Sequence, residues 1–235
     1  MTTATHFDYA DLPELMARMT GDEKHAGAAA SAVDLLWVLY DRFLDVAPDR
    51  VDDPGRDRFL LSKGHGPAGY YAVLAAKGFF DPDLLAAWGT PSSPLGFHPD
   101  HLLVPGVEIG AGSLGHGLPL GVGAALGLRV GREDSPRVVV LVGDGELDEG
   151  SNHEAIAAAG RFGLDRLTVV VIDNGTATHG WPGGIAARFA VEGWHTETVD
   201  GHEHAEIEAA LRACDEDGTR PGVIVAISPH KDKEP

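Results

Sequence analysis

Two runs of apolar, mostly β-branched residues constrain the fold of this chain more than any other feature. Residues 137–142 (RVVVLV) and 167–172 (LTVVVI) are apolar at nearly every position, so both faces of each segment must be covered. Residues 152–162, which lie between them, are predicted to form a helix. A strand, a helix and a second strand in that order make a βαβ unit, whose strands run parallel.

The rest of the chain continues this alternation. We predict strands at residues 194–199 and 222–227, with a helix at residues 205–213 between them. Ahead of the first run, the pattern predicts helices at residues 12–19, 32–43, 68–77 and 118–130, and an extended loop at residues 91–110. No linker-like stretch divides the sequence. Residues 1–235 are therefore expected to form one α/β domain, a mostly parallel sheet with helices on both faces.

The charge of the chain excludes several classes of function. Its formal net charge is −18, which argues against nonspecific binding to nucleic acid or to an anionic membrane. An anionic ligand would have to be bound locally, by a metal ion, backbone N–H groups or selected histidines. Cys214 is the only cysteine, and the sequence contains neither a secretory leader nor a membrane-spanning apolar run. We therefore expect no disulfide within the chain and a cytoplasmic location.

Polar residues follow both predicted strands of the βαβ unit. Asp144 lies between two glycines, and Asn174 follows 30 residues later in Asp173-Asn174-Gly175. Ligands of parallel sheets bind beyond the carboxyl ends of the strands, so the two side chains are expected to lie close together there. Their oxygens suit Mg²⁺ or Ca²⁺, ions that often also bind phosphate. Each tripeptide alone is typical of an ordinary turn, but the two at crossover spacing favour a metal–phosphate site.

The segments around this pair resemble one known family. Residues 143–155 (GDGELDEGSNHEA), followed by Asn174, resemble the signature of thiamine-diphosphate enzymes, and of transketolases in particular. Further segments that resemble transketolase motifs, in the same order, are residues 25–27 (HAG), 31–35 (SAVDL), 58–66 (RFLLSKGHG), 98–100 (HPD), 104–108 (VPGVE), 112–117 (GSLGHG), 193–195 (GWH) and 200–202 (DGH). The resemblance covers residues 12–228 and implies the thiamine-diphosphate-binding fold, in the form of its diphosphate-binding domain.

The resemblance implies a role for each matched residue of the cofactor site. Thiamine diphosphate would be bound with Mg²⁺ (or Ca²⁺), and the metal ligands would be Asp144, Asn174 and the carbonyl of Thr176. The other residues expected at the cofactor are Gly145 against the diphosphate, Gly112 and Leu114 facing the aminopyrimidine, His65, and Glu149. Glu149 and Glu154 match acidic residues that couple paired active sites across a subunit interface, where buried carboxylates share a proton.

Three histidines match the substrate channel of the family. His25, His65 and His98 would be the catalytic residues, since a near-neutral pKa suits proton transfer as ketose C–C bonds break and form. Taken singly, a histidine is more often an ordinary surface or core residue. The spacing of His202 and His204 also suggests a metal site, but neither matches a histidine of the substrate channel, and both are expected to be solvated at the start of a polar helix.

The reaction that the resemblance implies is transfer of a two-carbon ketol unit from a ketose-like donor to an aldehyde acceptor. Only the diphosphate-binding domain of a transketolase is matched, so the chain resembles the N-terminal subunit of a split enzyme. A C-terminal subunit would carry the pyrimidine-binding domain, with its ylide-forming glutamate, in a heterotetramer. Without that partner we expect no activity.

Departures from the family pattern surround the substrate channel. Residues 23–25 read EKH where the family has SGH, His179 replaces an acidic residue, and residues 227–235 (ISPHKDKEP) replace the usual tail, with His230 as a possible substitute histidine. They favour a specialised biosynthetic enzyme, with an unphosphorylated or carrier-bound acceptor.

Alternatives remain open at this level. A 1-deoxyxylulose-phosphate synthase or a ketoacid dehydrogenase α subunit would share the GDG and Asn pair, and a noncatalytic cofactor-binding partner would retain it. The spacing of Gly121, Gly123 and Gly127 superficially suggests a nicotinamide dehydrogenase, but no strand precedes it, and a helix packed closely through small residues is the better interpretation.

Overall fold

A parallel sheet forms the centre of the molecule. The computed structural model describes residues 7–20, 26–64, 67–130 and 135–228, with side chains omitted at residues 26–30. Within these residues the strands are β1 (Arg58–Leu61), β2 (Val138–Gly143), β3 (Leu167–Asp173), β4 (His195–Asp200) and β5 (Gly222–Ile227). They lie in the order β1-β2-β3-β5-β4, and every neighbouring pair is parallel. The predicted fold class is confirmed.

Helices cover both faces of this sheet. Successive side chains of a strand point to opposite faces, so the apolar strands present apolar side chains on both sides. The helices are α1 (Leu12–Ala17), α2 (Ala26–Val38), α3 (Pro67–Ala76), α4 (Gly117–Arg129), α5 (Gly150–Phe162), α6 (Gly184–Val191) and α7 (His204–Asp217). One core layer contains Leu141, Ile172 and residues of α1, α2, α3 and α7. The other contains Val140, Val171 and residues of α4, α5 and α6. Between them the two layers bury the apolar runs on both faces.

Two elements of the structure are absent from the sequence-based prediction. The first strand, β1, is only four residues long, and it is recognised as a strand by its parallel pairing with β2. Gly183 precedes helix α6 and Gly184 is its first residue; both have positive φ, so the start of this short apolar helix resembles a turn. Strand β1 is too short to show a period in the sequence, and the glycine pair at the start of α6 is typical of a turn rather than a helix.

The glycines of α4 differ in what they contact. A Cβ on Gly121 would lie 2.4 Å from Cγ2 of Val140, so a side chain here would push the helix off the sheet. Gly123 and Gly127 have no heavy atom within 4 Å of the same position. The predicted close packing through small residues is therefore right at Gly121 and wrong at the other two.

His202 is exposed and His204 begins α7, as predicted, but His204 is only partly exposed and both imidazole rings contact α2. Nδ1 of His202 lies 2.9 Å and Nε2 of His204 lies 2.8 Å from the carboxylate of Asp34, which also accepts a hydrogen bond from the hydroxyl of Tyr9. Nε2 of His202 lies 3.1 Å from Oγ of Ser228. The network joins the amino-terminal segment, α2 and the segment after β5.

No helix within the described ranges is both long enough and apolar enough to cross a membrane.

Candidate functional site

Asp144 and Asn174 lie together at the carboxyl edge of the sheet, as the strand spacing predicts. In the register of β2 and β3, Gly143 is opposite Ile172, and the chains beyond these residues carry the two side chains. Oδ1 of Asp144 and Oδ1 of Asn174 each lie 2.7 Å from Oγ1 of Thr176. Both side chains are buried, with 2% and 7% of the residue exposed.

The carboxylate of Asp144 also organises the segment after β3. Its Oδ2 accepts hydrogen bonds from the backbone N–H groups of Thr176 (2.7 Å) and Ala177 (3.0 Å), and its Oδ1 accepts one from Gly145 (2.9 Å). One buried carboxylate thus holds two loops together. Since hydrogen bonds to an ionised acceptor are stronger than neutral ones, the loop geometry depends on this charge.

A cavity of about 280 Å³ opens above this pair. Its lining consists of Lys63, Leu114, Gly143, Asp144, Gly145, Glu146, Asp148, Thr176 and Thr178. Most of these residues come from the loops that follow β1, β2 and β3, so the cavity occupies the place where parallel sheets bind ligands. The wall combines carboxylates, hydroxyls, glycine backbone and one apolar side chain, which suits a ligand with a charged end and an apolar end.

Glu146 is a buried carboxyl group in this wall, with 3% of the residue exposed. It accepts hydrogen bonds from the hydroxyl of Ser62 and from the backbone N–H groups of Gly115 (3.0 Å) and Gly143 (3.4 Å). Burial raises the pKa of Glu146 above its usual value, although these hydrogen bonds act in the opposite direction. The side chain connects the loops after β1 and β2 to the loop before α4.

Lys63 brings a cation to the same wall. Its Nζ lies 3.1 Å from Oγ of Ser31, and 9% of the residue is exposed. Burial lowers the pKa of Lys63 to about 8, although the carboxylates of Asp144 and Glu146 act in the opposite direction.

The segment before α4 approaches the loop after β1 closely. Gly112 has a φ of +116°, and a Cβ there would lie 3.0 Å from Cγ of His98. A Cβ on Gly64 would lie 2.6 Å from the backbone nitrogen of Gly112. Nδ1 of His98 lies 3.0 Å from the carbonyl oxygen of Gly64. Gly112 is thus placed beside His98, while Leu114, two residues on, reaches the cavity.

The remaining predicted site residues fall into two groups. Glu149 and Glu154 are exposed on this chain, so the predicted sharing of a proton between buried carboxylates would need a second chain. His25 and His65 lie outside the described residues, as does His230. For these five residues the roles given above stay predictions.

Sequence reasoning overlooked the three other charged residues that line the cavity: Lys63, Glu146 and Asp148. All three lie within recognised motifs, which was the signal that could have found them, but a motif does not show which charged side chains are buried. Oδ2 of Asp148 accepts from the backbone N–H groups of Thr178 and His179, both at 3.3 Å.

The oxygens at the floor of the cavity fit a hard divalent cation. Nowhere in residues 7–20, 26–64, 67–130 and 135–228 does a group of three His, Cys, Asp or Glu side chains converge as a metal site. A cation here would therefore need the amide oxygen of Asn174 and an oxygen of Thr176 beside Asp144. Carboxylate, amide and carbonyl oxygens are ligands that Mg²⁺ and Ca²⁺ accept.

The parallel sheet, with an acidic and amide pair beneath a polar cavity, defines the diphosphate-binding fold of thiamine-diphosphate enzymes. Transketolase from Leishmania mexicana shares this fold with a TM-score of 0.77 and 23% identity, over 95% of this chain and 37% of that protein. The family model described as "Transketolase, thiamine diphosphate binding domain" matches residues 17–228.

Two relatives make the relationship more specific. An apulose-4-phosphate transketolase subunit from Phocaeicola vulgatus is 33% identical over 86% of this chain and 73% of its own length. A protein of Rhodococcoides fascians named ferredoxin fas2 is 59% identical over 94% of this chain and 72% of its own length. The chain belongs to the transketolase family, and it matches the thiamine-diphosphate-binding domain of that family.

Proposed function

We propose that this chain binds thiamine diphosphate through a divalent metal and forms one half of a two-component enzyme that transfers a two-carbon ketol unit. The observation that carries the proposal is the convergence of Asp144, Asn174 and Thr176 at the carboxyl edge of the sheet, where two side-chain oxygens lie 2.7 Å from one hydroxyl. The metal would be Mg²⁺, or Ca²⁺ in its place, since both accept this donor set.

Each part of the cavity would act on a different part of the cofactor. Asp144, Asn174 and the carbonyl of Thr176 would hold the metal, and Gly145 would lie against the diphosphate. Gly145 lines the cavity, and a Cβ there would come to van der Waals distance of Thr176, at 3.7 Å, so the backbone lies close to both the cavity and the metal-ligand segment. Leu114, 37% exposed, offers an apolar contact to an aromatic ring. When bound, the cofactor supplies the carbanion stabilisation that ketol transfer needs.

The activity would depend on a second polypeptide that carries a pyrimidine-binding domain, in a heterotetramer. The relative from Phocaeicola vulgatus is itself named as one subunit of a transketolase, which supports a partner chain here too. Exposure of Glu149 and Glu154 agrees with burial against another chain. We place the complex in the cytoplasm, in keeping with a chain whose lone cysteine is buried and free.

The substrates would be a ketose-like donor and an aldehyde acceptor, with His98 as the described histidine that matches the expected channel. His98 is exposed, and the contact of its Nδ1 with the carbonyl oxygen of Gly64 fixes the orientation of its ring. The imidazole would donate a hydrogen bond to a sugar hydroxyl or transfer a proton. The sequence departures near His25 and His179 support a specialised acceptor, unphosphorylated or carrier-bound.

Calorimetric titration with thiamine diphosphate tests this proposal, with and without Mg²⁺, on the chain alone and with a co-purified pyrimidine-domain subunit. We expect metal-dependent binding that Asp144→Ala abolishes. His98→Ala serves as the matched control, since it should leave binding unchanged and lower turnover. Absence of metal-dependent binding in the wild-type complex would contradict the proposal. Normal binding without ketol transfer from any ketose donor would favour the noncatalytic alternative.

A further inference from the structure

We propose that the ammonium group of Lys63 binds a phosphate oxygen of the ligand in this cavity, as a second cationic contact beside the metal. The inference rests on the proposed function, because it takes the ligand to be a diphosphate. It adds a residue that neither the metal-ligand pair nor the histidines of the channel include.

The backbone of Lys63 is held rigidly at the end of β1. The N–H groups of Ser62 and Lys63 both donate to the carbonyl oxygen of Leu141, at 2.9 and 3.1 Å. The aliphatic stem then passes over the end of β2, where a Cβ on Gly143 would lie 3.7 Å from Cγ and Cδ of the lysine. Packing of the stem thus directs the ammonium group along the cavity wall and limits the rotamer freedom lost on binding a ligand.

The charge of the cavity supports a role in binding anions. Among the described residues that line it, Asp144, Glu146 and Asp148 carry carboxyl groups, and Lys63 is the one lysine or arginine. A divalent metal would offset part of this negative charge, but a diphosphate brings further negative charge of its own. A buried ammonium group at the same wall lowers the electrostatic cost of admitting such an anion.

A structural role is the competing interpretation. Nζ of Lys63 lies 3.1 Å from Oγ of Ser31 on α2, so the lysine could serve only to fasten that helix to the sheet. A fastening role does not account for a buried charge on a residue that lines a ligand cavity, because a neutral donor would join the helix without the cost of taking a charge out of water. Two variants separate the interpretations: Lys63→Met removes the charge and keeps the stem, and Ser31→Ala removes the hydroxyl alone.

The test is calorimetric titration of the full chain, in complex with its partner, at a fixed free Mg²⁺ concentration. The probes are inorganic pyrophosphate and thiamine diphosphate. Loss of one charged hydrogen bond predicts that Lys63→Met weakens both by the same factor, about 10- to 100-fold. Lys63→Arg should recover most of the affinity, and Ser31→Ala should stay within about threefold of wild type because it leaves the phosphate contact intact.

Two outcomes would overturn the inference. In the first, Lys63→Met binds pyrophosphate as tightly as the wild-type complex. In the second, it loses thiamine diphosphate affinity alone, which would put Lys63 at another part of the cofactor. If Lys63→Met proves unfolded by circular dichroism, the neutral polar variant Lys63→Gln takes its place, and pyrophosphate affinity equal to that of the wild-type complex would then refute phosphate binding. Failure of the proposed function would look different, since the wild-type complex would then bind neither probe.

Discussion

Replacing Asp144 with asparagine separates the structural role of this carboxylate from its role as a metal ligand. The carboxylate accepts four hydrogen bonds, from the N–H groups of Gly145, Thr176 and Ala177 and from the hydroxyl of Thr176. An asparagine has almost the same shape, but one of its two terminal groups is a donor. The substitution therefore places two hydrogen-bond donors opposite each other in at least one of these contacts.

The cost follows from the best orientation of the new amide. With its NH₂ group at the position of Oδ1, the amide keeps both N–H donors at Oδ2, and the hydroxyl of Thr176 can turn to accept. The N–H of Gly145 then loses its partner, which costs about 1–3 kcal/mol, and the remaining hydrogen bonds lose the assistance of the charge. We expect Asp144→Asn to lower the free energy of unfolding by about 2–4 kcal/mol without any ligand present.

Urea unfolding without metal or cofactor measures this loss, and Asp148→Asn is the matched control. Asp148 lines the same cavity, but its hydrogen bonds from Thr178 and His179 are 3.2–3.3 Å long and exposed, so we expect less than about 1 kcal/mol. Equal losses in the two variants would refute the view that Asp144 organises the loops. In the same samples, Mg²⁺-dependent cofactor affinity should fall much further for Asp144→Asn.

Three further predictions concern other parts of the molecule. Gly112→Ala should lower the thermal unfolding midpoint, by the equivalent of about 1–3 kcal/mol, because φ is +116° and the new Cβ would lie 3.0 Å from a histidine ring. Gly123→Ala should raise the midpoint slightly, because its Cβ would point into open space on a helix. Burial acts to raise the pKa of Asp34, but hydrogen bonds from a tyrosine and two histidines outweigh it and lower that pKa. The ionised carboxylate of Asp34 thus contributes stability that is present above about pH 4 and is lost as the pH falls through its folded-state pKa. Asp34→Asn should therefore reduce the loss of stability at acid pH. An unchanged loss would contradict this assignment. In urea unfolding, Glu146→Gln should lower the free energy of unfolding by less than about 1 kcal/mol, because the amide oxygen can still accept the hydrogen bond from Ser62. Glu146→Ala should lower it by about 2–4 kcal/mol. Similar losses in the two variants would show that the hydrogen bonds of Glu146 do not stabilise the fold.

The two strands at the centre of the sheet were predicted correctly because their apolar residues form long continuous runs. Strands β2 and β3 are apolar on both faces, which only a covered parallel sheet accommodates. Strand β1 and helix α6 are short, and neighbours in space define them. The lateral order of the strands, with β5 between β3 and β4, also has no local signal, because pairing partners are distant in sequence.

The candidate site likewise has a part that the sequence predicted and a part that it could not predict. Asp144 and Asn174 could be placed at one edge of the sheet from the sequence, because parallel strands end at a common edge and the crossover has a typical length. Resemblance to the transketolases then assigned expected roles to them. Whether those oxygens would also hold loop N–H groups could not be predicted, since that depends on how the segment after β3 folds back.

The sequence by itself determined the parallel α/β fold and the place of Asp144 and Asn174, because hydrophobic patterns and turn residues act over short stretches of chain. Its motifs, through their resemblance to the transketolases, indicated the family. Only the tertiary structure decided that Lys63 and Glu146 share a buried wall with that pair, and that His202 and His204 are bound to Asp34. The physical reason is that burial and charge pairing arise between residues far apart in the chain. A side chain's environment exists only once those segments have packed together.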